Sequence, residues 1–162
     1  FTTWTMQGVW VAVTLSAGLA AITGQRSVEP DGWMMVGALV WLSGMTIEVV
    51  ADRQKRQFRR APQNQSRFID TGLWSRSQHP NYFGEIMLWV GIALIAVPVL
   101  QGWQWLTLAS PLFVYLLLTR VSGIPLLKAR ARRRWGDDED YQAYRRRTPL
   151  LVPSLRVRRD QY

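Results

Sequence analysis

Four apolar runs, each close to the length that crosses a bilayer and each nearly free of charge, alternate with segments crowded with arginine. A helix needs ~20 apolar residues to traverse hydrocarbon. Lipid also offers no partner to an open N–H or C=O, so such runs must satisfy their own backbone as helices. The pattern predicts an all-α, polytopic membrane helical bundle with spans at 4–22, 32–50, 82–100 and 105–118, joined to cytoplasmic helical segments. The mean hydropathy of −0.05 is the average of these two unlike populations and describes neither.

The charge decides the orientation. Residues 53–78 hold seven Lys/Arg and 120–162 hold twelve, whereas the loops at 23–31 and 101–103 hold one between them, Arg26. By the positive-inside rule the loop 51–80 and the tail 120–162 are cytoplasmic. A net charge of +9 would suit nucleic acid in a soluble chain. Here the cations flank membrane-length runs, so the lipid bilayer is the expected partner and nucleic acid is not. With no cysteine and a single histidine, the chain has no disulfide framework and no cysteine nucleophile, and no metal site is expected. At 162 residues there is room for one domain. The chain opens in an apolar stretch with neither a methionine nor a basic leader, and it is expected to be a piece lacking its natural N-terminus.

The chemistry-bearing residues fall on the cytoplasmic side. A polar turn, Gly72-Leu73-Trp74-Ser75-Arg76-Ser77-Gln78-His79, is fused through Pro80-Asn81-Tyr82-Phe83-Gly84-Glu85 to the third span. Pro80 suits the first helical position, where its missing N–H is no loss, and Asn81, Tyr82 and Glu85 then share the first turns. A carboxylate such as Glu85 entering a membrane-length run is functional or paired. If the second helix continues past the membrane boundary, Glu48, Asp52, Arg56 and Arg59 form one stripe at i, i+4, i+8 and i+11. Lys55 and Arg59 pair beside it. Acids deep and cations shallow suit a ligand with hydroxyl and amide groups at one end and phosphates at the other. A basic collar drawn to anionic lipid has the same composition. In the tail, Tyr141-x-x-Tyr144-Arg145 brings aromatic and guanidinium groups together, a combination that can clamp a purine and its phosphates. The Rossmann, Walker, nucleophile-elbow and His-Glu-x-x-His motifs are absent.

Three blocks together resemble the steroid 5-alpha-reductase C-terminal family, and most closely its bacterial membrane branch with a His-Pro-Asn-Tyr-Phe-Gly-Glu core. They are Ala51-Asp52…Gln54-Lys55…Phe58-Arg59, Gly72 to Leu94, and Gly123-Ile124-Pro125…Trp135-Gly136-Asp137-Asp138…Tyr141-x-x-Tyr144…Thr148-Pro149. The resemblance implies a membrane oxidoreductase that binds NADPH from the cytoplasmic side. Such an enzyme delivers hydride to the activated C=C bond of a hydrophobic, steroid-like enone. Carried over by position, Asp52, Arg56 and Arg59 match the family's cofactor-binding helix. Asn81 and Glu85 match residues that grip the nicotinamide end, and Arg145 matches an arginine near the C-terminus. The residue patterns add Lys55, His79, Tyr82 and Tyr144 to the expected cofactor-binding set.

The family's substrate-polarising glutamate and tyrosine belong to an N-terminal half outside this sequence. Residues 1–162 are therefore expected to be the cofactor-binding portion of one reductase domain, inactive alone, in a bacterial inner membrane. Two positions depart from the family pattern: Lys128 stands where the bacterial branch is expected to carry glutamate, and the tail histidine of the animal enzymes has no clear counterpart. Two other readings remain. Isoprenylcysteine methyltransferases share a His-Pro-x-Tyr-x-Gly turn and a Tyr-x-x-Tyr…Pro tail and bind S-adenosylmethionine, but their pattern lacks the Asn81–Glu85 pair and the Asp52–Arg59 helix. A non-catalytic, lipid-binding membrane protein is the third.

Overall fold

The computed structural model describes residues 2–24, 29 and 31–154, with side chains from residue 7 onward. Arg26 and residues 155–162 of the tail lie outside the described residues. Among the described residues there are six α-helices: α1 Thr2–Thr23, α2 Gly32–Arg60, α3 Pro80–Ala96, α4 Ser110–Leu116, α5 Ile124–Trp135 and α6 Glu139–Arg147. No strand occurs among the described residues. Three helical stretches, Gly32–Arg60, Pro80–Val99 and Gly102–Trp135, are long and apolar enough to cross a membrane, and Gln7–Thr23 is a shorter apolar helix. Large apolar side chains such as Leu39, Leu42, Leu106 and Leu112 are exposed on them. A monomeric soluble protein rarely shows apolar patches of that extent, and lipid covers them.

The ends of α2 and α3 follow from local chemistry. Asp31 caps α2 by accepting the Met34 N–H at 3.0 Å, which satisfies one of the orphan donors of the first turn. The helix then runs unbroken through the membrane boundary and stops at Ala61, before Pro62. Arg59 and Arg60 in its last turn suit the negative end of its dipole. Pro80 opens α3 as expected, with His79 in the capping position.

What holds α2 to α3 is a pair of glycine contacts. A Cβ added to Gly37 would stand 2.8 Å from the Gly91 carbonyl oxygen, and one on Gly44 would stand 2.6 Å from the Gly84 oxygen. The reverse is equally tight, since a Cβ on Gly84 would lie 2.7 Å from both the Gly44 oxygen and the Glu48 nitrogen. The two glycines are seven residues apart on each helix and the numbers run in opposite senses, so the helices are antiparallel with their backbones in contact. Lipid supplies no hydrophobic drive for helix association, and close backbone approach through small residues is what replaces it. One turn further on, Ala51 is fully buried, and its carbonyl accepts the Trp74 indole N–H at 3.0 Å.

On the opposite membrane face α1 closes the bundle, with Ala17, Ala20, Ala96 and Leu100 forming a buried cluster against Leu108. The connection between the third and fourth apolar runs is wider than the three residues 101–103. Short 3-10 turns at Val97–Val99 and Gly102–Ala109 flank Leu100 and Gln101. Gln101 and Gln104 cap each other there, and Gly102 takes a positive φ of 53°. The returning segment is not a uniform helix over 105–118. It passes from 3-10 to α at Ser110, beside Pro111, and then to a π turn at Leu117–Val121 before breaking at Gly123. Such π turns concentrate at functional sites.

Gly84→Val or Gly44→Val should destabilise the fold by about 1–3 kcal/mol or more, because the new atoms meet backbone that cannot retreat. Gly8→Ala, with nothing within 4 Å of its added carbon, should be neutral. Thermal unfolding in detergent, compared across the three variants, checks this.

Candidate cofactor-binding site

The glycine contacts place the polar half of α2 beside the first turns of α3. Gly84 packs on the Glu48 backbone. Glu85 stands within electrostatic reach of both Glu48 and Asp52, and Tyr82 within reach of Glu85 and Asp52. Three carboxylates and a phenol thus gather at one end of the helix pair. Gly123, at the break after the π turn, leaves room for this phenol: a Cβ there would lie 3.0 Å from Tyr82 Cε2 and 2.5 Å from the Leu118 oxygen.

The polar turn before α3 is held from two sides. From α2, Gln54 Oε1 accepts the Leu73 N–H at 2.9 Å, and Gly72, at φ +62°, lies flat on the Gln54 amide where a Cβ would be only 2.7 Å away. Left-handed backbone of this kind favours glycine. From the C-terminal segment, the Tyr144 hydroxyl donates to the Trp74 carbonyl at 2.7 Å and the Ser77 hydroxyl to the Leu151 carbonyl at 2.7 Å. The Gln78 amide donates to the Thr148 carbonyl at 2.6 Å. Lys55 Nζ lies over the Trp74 ring, 4.7 Å from its centroid, a cation–π contact. His79 is buried, receives no cap of its own, and stacks on Tyr82 with centroids 5.5 Å apart and planes 18° apart. Burial, and then the nearby charges of Lys55 and Lys128, push its imidazole down to about 4, so it is neutral at physiological pH.

Two cavities adjoin this centre. One, of about 270 Å³, lies between α1, α3 and the fourth apolar segment, with Trp10, Thr14, Glu85, Trp89, Val114 and Leu118 in its wall. The other, of about 550 Å³, lies between α5 and α6 and is walled by Lys128, Ala129, Arg132, Arg133 and Arg145. Four of its five lining side chains are cations, and the concave shape directs them at one volume. A phosphate-bearing ligand fits that chemistry.

The sequence-derived set is therefore divided in space. Asp52, Lys55, His79, Tyr82 and Glu85 come together at the end of the α2–α3 pair. Asn81 is partly buried in the same first turn, and its amide makes no hydrogen bond among the described residues. Arg56 and Arg59 are exposed on α2, Arg59 within reach of Lys55. Arg145 lines the basic cleft, its guanidinium 6.0 Å from the Tyr141 ring. Tyr144 is 5% exposed, and its ring packs on Phe68 at 5.4 Å beside Tyr141 and Trp135. Its hydroxyl is spent on Trp74, so this ring anchors the polar turn. Sequence reasoning missed Lys128 as a site residue, although its charge reaches His79, and it missed Thr14 altogether. Neither carries a local signal, because Lys128 is one cation in a basic run and Thr14 one hydroxyl in an apolar one.

Fold and site together define a polytopic α-helical membrane protein with three carboxylates gathered at one end of the α2–α3 pair and two cavities, one mainly apolar and one lined by cations. The chain belongs to the family described as Protein of unknown function (DUF1295), whose profile matches residues 1–148, and it is similar in sequence to several steroid 5-alpha-reductases. The 3-oxo-5-alpha-steroid 4-dehydrogenase 1 of Bos taurus is 28% identical over 138 residues, which is 81% of this chain and 48% of that protein. The human 3-oxo-5-alpha-steroid 4-dehydrogenase 2 is 33% identical over 98 residues, 51% of this chain and 39% of its own length. The steroid 5-alpha-reductase DET2 of Gossypium hirsutum is 28% identical over 121 residues, 75% of this chain and 42% of its own. The chain spans half or less of the length of these relatives. No solved structure matches it significantly.

The buried imidazole has a testable consequence. In the unfolded chain His79 takes a proton near pH 6.5, whereas in the fold it stays neutral down to about 4. The unfolded state binds the extra proton between those values, so the stabilisation is complete above pH 6.5 and is lost as pH falls toward 4. The loss amounts to about 3 kcal/mol. His79→Gln should flatten that part of the stability–pH curve relative to the parent, measured by thermal unfolding at stepped pH.

Proposed function

We propose that this chain forms the cofactor-binding portion of a membrane NADPH-dependent reductase acting on the activated C=C bond of a hydrophobic, steroid-like enone. The cofactor enters from the cytoplasmic side of a bacterial inner membrane. The observation that supports the reading is the ordering of charge: Glu48, Asp52 and Glu85 lie within electrostatic reach of one another, Lys55 and Lys128 lie within reach of His79, and a second cleft, between α5 and α6, is lined by cations.

The residues present fit such a ligand. A carboxamide has N–H donors that a carboxylate accepts, and Glu85 offers oxygens that take no hydrogen bond among the described residues. Phosphates need cations, and Lys128, Arg132, Arg133 and Arg145 line one volume. Bound there, NADPH would supply the hydride. The end where Glu85 stands is walled by the apolar side chains of Trp10, Trp89, Val114 and Leu118, and an apolar, fixed geometry is what the transfer step requires. Neutral His79 adds no positive charge to that end and instead presents a flat face stacked with Tyr82. Lys55, Arg56 and Arg59 on α2 add positive charge at the same end of the helix pair, Arg56 and Arg59 from its exposed face. S-Adenosylmethionine, a sulfonium without phosphates, suits this cation-rich end poorly.

Titration of the detergent-solubilised protein with NADPH should show saturable binding, weakened about tenfold by Asn81→Ala and by Arg59→Ala. S-Adenosylmethionine should not compete. Absence of saturation, or binding indifferent to both substitutions, would remove the proposal.

A further inference from the structure

Among the described residues, most hydroxyls inside the helices of this protein turn back on their own backbone; Thr14 in α1 and Ser110 at the start of α4 do not. Ser16, Thr23, Ser43, Thr46 and Thr119 each donate to a carbonyl three or four residues earlier, at 2.6–2.8 Å. This is the ordinary fate of serine and threonine in a helix. Thr14, in the same α1 run as Ser16, does not follow it. Its side chain is 6% exposed, and its Oγ1 is buried without any partner. Leaving a buried hydroxyl unpaired costs free energy, and the residue lines the apolar cavity that also contains Glu85. Apart from the indoles of Trp10 and Trp89, Thr14 and Glu85 are the polar side chains in that wall.

The geometry points to Thr14 as the second half of a carboxamide-binding pair with Glu85. A primary carboxamide presents one acceptor, its carbonyl oxygen, and N–H donors on the other side of the same plane. A hydroxyl can donate to the first while a carboxyl oxygen accepts from the second. Placed in one apolar cavity, the pair would recognise the nicotinamide amide and fix which way the ring faces. The inference rests on the cofactor reading above and adds to it a residue from α1, outside the three sequence blocks that carry the family resemblance.

The test compares two ligands, NADPH and 2′-phospho-ADP-ribose, which keeps the phosphates and lacks the nicotinamide. Thr14→Val, which preserves the side-chain shape, should weaken NADPH binding about tenfold. It should leave 2′-phospho-ADP-ribose binding unchanged. Thr14→Ser, which keeps the hydroxyl, should bind both ligands like the parent. If Thr14→Val binds NADPH as tightly as the parent, or loses both ligands alike, the pairing is overturned while the cofactor reading stands. If the parent protein binds neither ligand, the cofactor reading itself fails and the pairing with it.

Discussion

Between α2 and α3 there is no room for a methyl group at Gly37, Gly44, Gly84 or Gly91. The rest of the structure depends on that closeness. Helices held apart by larger side chains would sit with axes 8–10 Å apart or more, and Glu48 and Asp52 of α2 would then stand apart from Tyr82 and Glu85 of α3. With backbones touching, the acids of α2 share one volume with Tyr82 and Glu85 of α3. The cost of gathering carboxylates at this depth is met by a rigid contact that cannot slide, because each glycine is locked against a carbonyl on the other helix.

A second layer of constraint comes from the C-terminal segment. Residues 148–151 and Tyr144 hold the polar turn through hydrogen bonds to carbonyls and side chains on Trp74, Ser77 and Gln78. Trp135 reinforces the same arrangement, its indole donating to the Ser66 carbonyl at 2.6 Å. The cations of α5 and α6 are thereby fixed relative to His79, which lies more than forty residues earlier in the chain. Site and scaffold are the same set of contacts: the strap that orders the turn also carries the basic cleft.

Much of the candidate site was legible because membrane insertion imposes local rules. Pro80 at the start of α3, the unbroken passage of α2 from Glu48 to Arg59, and the stripe of acids and cations on it all follow from period and composition. Tyr144 shows where such reading stops. A Tyr-x-x-Tyr-Arg pattern is compatible with a ligand clamp or with an internal anchor, and only the position of Trp74 and Phe68 in space assigns this hydroxyl and ring to the second. Lys128 shows the converse, since an unremarkable cation in a basic run lies close enough to His79 to bear on its protonation.

The sequence alone determined that this is a helical membrane protein, where its apolar segments lie, and that its acids and cations are ordered along α2 and the start of α3. Those properties arise within one segment at a time, since a bilayer obliges each apolar run to bond to itself. The tertiary structure decided which hydroxyls go unpaired, which tyrosine is buried and which cations face one cleft. These depend on the register at which separate helices meet, set here by seven-residue glycine spacing on two helices at once. The numbers are visible in the sequence, but their pairing is not.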